Sequence, residues 1–157
     1  MAPQHAALIE QLFQLAEDNV HQGGGPFAAL VVKKGKVIGQ GVNRVSASHD
    51  PTAHAEISAI RAACLHLRHH QLTGCVVYSS CEPCPMCLGA LYWARPERLI
   101  YFNTQNDAAD IGFDDHFIYQ ELAQPPAQRR LPTEQRDHPR RLHAFNLWQA
   151  SPAHLRY

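Results

Sequence analysis

The stretch CVVYSSCEPCPMCLGALYWA, residues 75–94, contains the segments that decide the fold. Cys75 to Ser79 is a continuous apolar run, which is typical of a strand buried on both faces of a sheet. A proline-marked turn follows, and Met86 to Ala94 is predicted to be a helix. Because Arg98 to Phe102 is another apolar strand, this part of the chain is predicted to be a strand–helix–strand unit with parallel strands.

The residues before this unit are predicted to form a helix, a hairpin and a second helix. Apolar side chains recur at helical spacing near the N-terminus, and this helix is expected to end near residues 23–26. Phe27 to Val32 and Val37 to Val42 are apolar runs joined by a tight polar turn, which predicts a hairpin. Asp50-Pro51-Thr52 is a start signal for a helix over about Ala53 to Leu67. The order of elements predicts an α/β domain.

The periodic pattern weakens after about Asn103. A short helix is predicted over Phe117 to Leu122, and the Pro-, Gln- and Arg-rich residues 124–141 predict a surface excursion. A final helix or anchor is expected near Trp148. We find neither an internal repeat nor a separate second domain, so residues 1–157 are predicted to be a single domain.

The composition argues against several classes of protein. With 157 residues, 45% of them hydrophobic and 18% charged, the chain can bury a core without disulfides. Fourteen basic residues balance fourteen acidic ones, so no overall field attracts nucleic acid or an anionic membrane. We expect neither a membrane span nor a signal peptide. The five cysteines are unlike a secreted disulfide framework, so we expect a reducing, cytoplasmic setting in which clustered thiols bind metal or catalyse.

Two short motifs combine into a candidate metal site. Cys84 and Cys87 are separated by two residues at a helix start, where both sulfurs can face one point and the helix N-terminus stabilises thiolates. His54 supplies a third ligand from the start of its own helix. Three protein ligands leave zinc a fourth position, where water becomes a nucleophile near neutral pH. Glu56, two residues after His54, is placed beside the metal to take and deliver protons.

Other interpretations of these cysteines stay open. Cys81 forms a C-x-x-C-x-x-C run with Cys84 and Cys87, and together with His54 it can close a structural zinc site. A closed site would leave Glu56 without a purpose beside the metal, which counts against it. A Cys-x-x-Cys pair also occurs in thioredoxin-like redox proteins, and an iron–sulfur cluster prefers four cysteines.

The two motifs, TAHAE at 52–56 and EPCPMC at 82–87, resemble the zinc nucleobase deaminases of the cytidine-deaminase-like superfamily. The resemblance implies an α/β fold, a three-layer α/β/α sandwich around a mixed five-stranded sheet, with one zinc ion per subunit between two helix N-termini. Residues 79–96 and 106–122 are closer to bacterial guanine deaminases, whereas residues 49–63 also resemble tRNA adenosine deaminases.

The same resemblance implies which residues bind the purine. The Asn43 amide can donate to and accept from a purine edge, although asparagine is also a common turn residue. Asp115 can accept hydrogen bonds from guanine N–H groups, or the pair Asp114-Asp115 can cap the following helix. Aromatic residues either wall off the purine or belong to the core. The predicted substrate-binding residues are Asn43, Asp115, Tyr157, Phe27, Trp93 and Ala55.

The guanine deaminases also exchange their C-terminal segments between subunits. The resemblance therefore implies a homodimer in which about residues 124–157 are swapped and Tyr157 reaches the pocket of the partner.

These observations predict hydrolytic deamination of guanine to xanthine with release of ammonia, in which Glu56 acts first as base and then as acid. Another amino-purine, a nucleoside or a triazine needs the same chemistry and stays open as a substrate, and so does a tRNA adenosine. Five arginines within residues 129–141 either track phosphates or belong to a solvated surface loop. We expect a purine base as partner, with neither membrane nor nucleic acid.

Overall fold

The apolar runs of the sequence form the strands of a mixed sheet. A computed structural model of the chain describes residues 3–152, which form two units, 3–117 and 118–152. The strand order is β2-β1-β3-β4; β1 is antiparallel to both β2 and β3, and β3 is parallel to β4. The strands are β1 Ala28–Lys33, β2 Lys36–Val42, β3 Cys75–Cys81 and β4 Arg98–Asn103.

The helices of the first unit pack on both faces of the sheet. Helix α1 contributes to the apolar cluster on one face, and α3 and α4 contribute to the cluster on the other. The helices are α1 Pro3–His21, α2 Val45–Ser48, α3 Ala55–Leu67, α4 Pro85–Ala94, α5 Gln105–Asp110, α6 His116–Ala123 and α7 His143–Ala150, with a 3₁₀ turn at Pro126–Gln128.

Alternation along β1 explains the layering. Leu30, fully buried, packs with Leu12 of α1, whereas its neighbour Val31 packs with Ala59 of α3. Successive side chains of a strand point to opposite faces, so an uninterrupted apolar strand needs a helix on each side. The α/β domain predicted from the order of elements and the α/β/α layering implied by the family resemblance are confirmed.

The hairpin between β1 and β2 depends on two residues with left-handed backbone. Lys34 has φ of 49° and Gly35 has φ of 76°, so the two-residue loop has positive φ at both positions. A loop of this kind follows the right-handed twist of the strands that it joins. The hairpin predicted from the polar turn is confirmed.

Close packing of small residues holds the first turn of α3 against β2. Ala55, Ala59 and Ala63 form a buried stripe on the helix, and Gly39 and Gly41 lie opposite them on the strand. A Cβ atom at Gly41 would lie 2.6 Å from the Ala59 nitrogen and closer still to the Ala55 carbonyl oxygen. The absence of side chains at these glycines therefore lets the helix backbone approach the strand.

The prediction of a five-stranded sheet was wrong, because the described residues form four strands. After β4 the chain turns directly into α5. The Thr104 hydroxyl accepts the Asp107 N–H, and the Asp107 carboxylate accepts the Thr104 N–H, which forms a capping box. Residues 118–152 contain no strand. A fifth strand was implied by the family resemblance and not by any apolar run.

The second unit contains α6 from Ile118 onward, the 3₁₀ turn and α7. Arg130 lies 3.7 Å from the Glu121 carboxylate, and Arg141 lies 2.7 Å from that of Asp137. The predicted helix near Trp148 is observed as α7. Over residues 3–152, none of the helices has the length and apolar character that crossing a bilayer requires.

Candidate functional site

His54, Cys84 and Cys87 lie together at the start of α3 and α4. One ligand atom from each falls within 4.8 Å of the others, and the His54 Nδ1 atom is 3.5 Å from each sulfur. In tetrahedral zinc coordination, with Zn–N of about 2.0 Å and Zn–S of about 2.3 Å, nitrogen and sulfur lie about 3.5 Å apart. This donor set and its spacing therefore fit a single zinc ion.

The N-termini of the two helices explain why these side chains converge. His54 and Cys84 are both N-cap residues with extended backbone, so each side chain stands just outside its helix. Pro85 occupies the first turn of α4, where its missing N–H costs nothing. The Cys87 N–H points at the Cys84 sulfur at 3.5 Å. Both helices thus direct their positive ends toward the site.

The ionisation of the site favours cation binding. The hydrogen bond from the Cys87 thiol, helped by His54, lowers the pKa of Cys84 to about 4. The pKa of Cys87 is raised because its thiol donates to the Cys84 thiolate and is buried. The same sulfur of Cys84 raises the pKa of His54. The cysteine pair therefore gives up one proton readily and needs a cation to release the second.

Cys81 does not join this group. Its thiol donates to the Thr104 carbonyl at 3.5 Å, and burial raises its pKa to about 11. In residues 3–152 the clustered ligands are His54, Cys84 and Cys87, with no fourth protein ligand. The structure therefore speaks against the closed structural site and leaves a coordination position for water.

Glu56 lies in the first turn of α3, next to the metal ligands, with 7% of its surface exposed. One carboxylate oxygen, Oε1, accepts the hydroxyl of Ser79 at 2.9 Å. Burial raises the pKa of Glu56, and the Ser79 hydrogen bond opposes that rise. A carboxyl group whose pKa is moved toward neutrality is suited to both accepting and donating a proton.

A cavity of about 570 Å³ opens directly onto these residues. His54, Glu56 and Cys84 line one end of it. Several residues predicted to bind substrate also line it: Phe27, Asn43, Ala55 and Asp115. The structure thus brings these candidates to the metal ligands from the residue before β1, the residue after β2, the start of α3 and the residue before α6.

The structure shows which local contacts Asn43 and the Asp114-Asp115 pair make. The Asn43 carboxamide oxygen accepts the Val45 N–H at 3.3 Å, so it has the turn function as well as a place in the cavity wall. Asp114, and not Asp115, supplies the local turn contact, because its carboxylate accepts the His116 N–H. Asp115 faces the cavity, and burial raises its pKa.

One described residue that was predicted to bind substrate lies away from the cavity. Trp93 is 61% exposed near the end of α4 and does not line the cavity of this chain. It lies nine residues after Cys84, about 13 Å along a helix whose N-terminus faces the site. Tyr157 lies outside the described residues.

Sequence reasoning missed several residues around the site. Phe113 packs edge-to-face on Phe27 with ring centroids 4.9 Å apart, and it also lines the cavity. Asn19 is buried, and its amide nitrogen donates to the backbone oxygens of Gly25 and Asn43 at 2.8 and 2.9 Å. No local pattern marks Phe113 or Asn19, because both contacts join distant parts of the chain.

Comparison with known proteins agrees with this geometry. Residues 2–103 match the cytidine and deoxycytidylate deaminase zinc-binding region. The chain is 48% identical to guanine deaminase of Bacillus subtilis over 92% of its length and 94% of that protein. The crystal structure of guanine deaminase from that organism has a TM-score of 0.94 and 46% identity, covering 98% of each chain.

Two further relatives are less similar. Guanine deaminase from Nitrosomonas europaea gives a TM-score of 0.68 and 36% identity, covering 73% of this chain and 65% of that one. A tRNA-specific adenosine deaminase of Aquifex aeolicus is 44% identical, but over only 51% of this chain and 53% of that protein. The chain therefore belongs to the zinc-binding cytidine and deoxycytidylate deaminase family, in which it is similar along nearly its whole length to a bacterial guanine deaminase.

Proposed function

We propose that the protein is a zinc-dependent hydrolase that deaminates guanine to xanthine and ammonia. The observation that carries the proposal is the three-ligand group of His54, Cys84 and Cys87 with the buried Glu56 carboxylate beside it at one end of a cavity. A fourth, closing protein ligand is not among residues 3–152. Similarity to the Bacillus subtilis enzyme over 92% of the chain selects guanine among amino-heterocycles.

The chemistry divides between the metal and Glu56. When bound, zinc supplies a Lewis acid that makes a water molecule acidic and nucleophilic at neutral pH. The Glu56 carboxylate would take one proton from the attacking water and deliver it to the ring nitrogen next to C2 of guanine, while the water oxygen forms a bond to C2. Glu56 would then take the remaining proton of the new C2 hydroxyl and pass it to the exocyclic amino group, whose bond to C2 breaks so that ammonia leaves and a carbonyl remains.

Residues of the cavity wall are proposed to hold the purine. The Asn43 oxygen is engaged by the Val45 N–H, which leaves the amide nitrogen as the group to donate to a purine acceptor. Asp115 is proposed to accept hydrogen bonds from the N–H groups of guanine. Ala55, which lies between His54 and Glu56 in the sequence, is proposed to contact the purine ring. The ring pair of Phe27 and Phe113 offers an aromatic surface for the purine face.

We propose a homodimer in which the C-terminal segment, about residues 124–157, is exchanged and Tyr157 reaches the partner's cavity. The proposal is supported by the apolar side chains of α7, since Phe145 is 69% and Leu147 61% exposed. Large apolar groups at the surface of one chain are commonly covered in an oligomer. Trp93 then remains a candidate for a contact between subunits.

A nucleic-acid substrate is less well supported. Of the five arginines in residues 129–141, Arg136 and Arg141 form ion pairs with acidic side chains of the same stretch, and Arg130 pairs with Glu121 of α6. The acidic partners lower the net positive charge that this stretch offers to phosphates. We propose a cytoplasmic enzyme, and the five free cysteines agree with a reducing compartment.

The test is an ammonia-release screen with the zinc-loaded protein over guanine, guanosine, adenine, cytosine, cytidine and a triazine amine. Guanine is expected to give the highest kcat/KM. A higher value for another amine would replace the substrate and keep the reaction. No release from any amine would reject the deaminase function, and zinc content measured on the same sample excludes a metal-free preparation as the cause.

A further inference from the structure

Two adjacent serines at the end of β3 make different buried contacts. Ser79 and Ser80 are each 1% exposed. Ser80 lies on the face where its hydroxyl oxygen accepts the Ala28 N–H at 3.0 Å, which ties β3 to the start of β1. Ser79 lies on the opposite face and donates its hydroxyl to the Glu56 Oε1 atom at 2.9 Å. One serine therefore supports the sheet, and the other contacts the carboxylate beside the metal ligands.

The support behind Ser79 is rigid. β3 is hydrogen-bonded to β1 on one side and to β4 on the other, and Ser79 pairs with Ala29 and with Tyr101 in the two registers. A serine side chain has a single heavy-atom torsion, so its oxygen is placed by the strand itself. The hydroxyl is therefore a fixed point against which a longer side chain can be oriented.

Glu56 needs such a fixed point. Its side chain has three torsions, so the carboxylate can take many orientations. Its proposed proton transfers require one carboxylate oxygen to contact the water, the ring nitrogen and the leaving amine in turn. Its carboxylate also accepts from its own backbone N–H, and it competes with the Cys84 sulfur for the one proton of the Cys87 thiol. Cys87 is a proposed metal ligand and gives up its proton to bind zinc, so Ser79 is the side-chain donor that persists in the loaded site.

We propose that Ser79 is a positioning residue for deamination, because its hydroxyl holds the Glu56 carboxylate in the orientation that faces the cavity. The inference rests on the proposed function of Glu56 and adds a residue outside both sequence motifs. A serine hydroxyl has one donor and two acceptor sites, so the contact can persist whether or not Glu56 carries a proton. Binding of the purine itself does not involve Ser79, which is absent from the cavity wall.

The test compares Ser79→Ala with Ser80→Ala. Each variant removes one buried hydroxyl and one hydrogen bond from the same strand, so their losses of thermal stability are expected to be similar. Ser79→Ala is expected to lower kcat by about 10- to 100-fold with KM changed less than about threefold, because only the placement of the proton carrier is lost. Ser80→Ala is expected to keep both constants within about threefold of the wild type.

Two further measurements distinguish a positioning role of Ser79 from a general effect on folding: recovery of kcat in conservative variants and the zinc content of every variant. Ser79→Thr keeps the hydroxyl on a residue that strands accept well, and we expect kcat to return to within about threefold of the wild type. Should the added methyl group lower the melting temperature of Ser79→Thr, Ser79→Cys keeps the volume with a weaker donor and is expected to give an intermediate kcat. All variants are expected to bind zinc as the wild type does.

Three results would overturn the inference. The kcat of Ser79→Ala could equal that of the wild type, or Ser79→Ala and Ser80→Ala could lose the same factor in kcat. The third is a loss of zinc from Ser79→Ala that is large enough to account for its loss of activity. Failure of the proposed function is recognised separately. A wild-type protein that holds zinc but releases no ammonia in the same assay rejects the proposed function, and the role of Ser79 falls with it.

Discussion

Substitution of Gly41 by alanine is the sharpest test of how the fold positions the site. A Cβ atom there would lie 2.6 Å from the Ala59 nitrogen and closer still to the Ala55 carbonyl oxygen, whereas ordinary contacts begin at 3.4 Å, so α3 must retreat from β2 by at least about 0.8 Å. The atoms in the way belong to the helix backbone, which cannot rotate aside. The Ala55 carbonyl is also in contact, and Ala55 lies between His54 and Glu56.

The retreat is expected to cost both stability and activity. Overpacking of this kind destabilises a core by about 3 kcal/mol, which lowers the melting temperature of a chain of this size by about 6–12 °C. A shift of nearly 1 Å in catalytic groups lowers kcat/KM by about 100-fold. We also expect weaker zinc binding, because His54 moves relative to Cys84 and Cys87.

Thermal unfolding by circular dichroism, zinc content and ammonia release from guanine provide the assay. Gly89→Ala is the control, since nothing lies within 4 Å of a Cβ atom at that helical position. It is expected to stabilise α4 by about 0.5–1 kcal/mol without loss of activity. Gly39→Ala meets α3 further along, at Ala59 and Ala63, and should lower stability with a smaller effect on activity. A Gly41→Ala protein that melts within 2 °C of the wild type with full activity would refute the reasoning.

Three other outcomes are expected. Glu56→Gln should lower kcat by at least about 100-fold while the zinc content stays at one ion per chain; retained turnover would remove Glu56 from proton transfer. Cys81→Ala should retain zinc and Cys84→Ala should lose it, as measured by metal analysis after dialysis; the reverse would restore the closed structural site. Asn19→Ala should cost about 1–3 kcal/mol of unfolding free energy, because two partly buried carbonyls lose the buried amide that donates to them, and should raise KM through the displaced Asn43; an unchanged KM would show that Asn19 only supports the fold.

The metal ligands were predictable because each lies at the start of a helix that a short sequence motif marks. A helix N-terminus directs nearby side chains and N–H groups to one point, and both motifs carry their own start signals, a proline turn before α3 and Pro85 in α4. The apolar runs predicted β1 and β3 for a similar reason, since a strand covered on both faces is apolar along nearly its whole length. Helices α2 and α5 were missed, although the Thr104–Asp107 capping box marks the start of the second.

The substrate side of the site was less predictable. Two adjacent aspartates look alike in sequence, yet Asp114 accepts the His116 N–H while Asp115 turns to the cavity. Trp93 follows the cysteine motif closely in sequence but lies at the far end of α4. Such differences depend on where a loop or helix points after packing, which neighbouring residues along the chain do not reveal.

By itself the sequence determined that His54, Cys84 and Cys87 can meet at one zinc ion with Glu56 beside them, because spacing at a helix start sets side-chain direction. Only the tertiary structure decided that Cys81 stays outside this group and that Ser79 holds Glu56. Both depend on the register of β3 and on which face of the sheet each of its side chains takes, because a shift of one residue would exchange Ser79 with Ser80. Register is set by contacts across the whole sheet, which the chain acquires only when α1, α3 and α4 close over it.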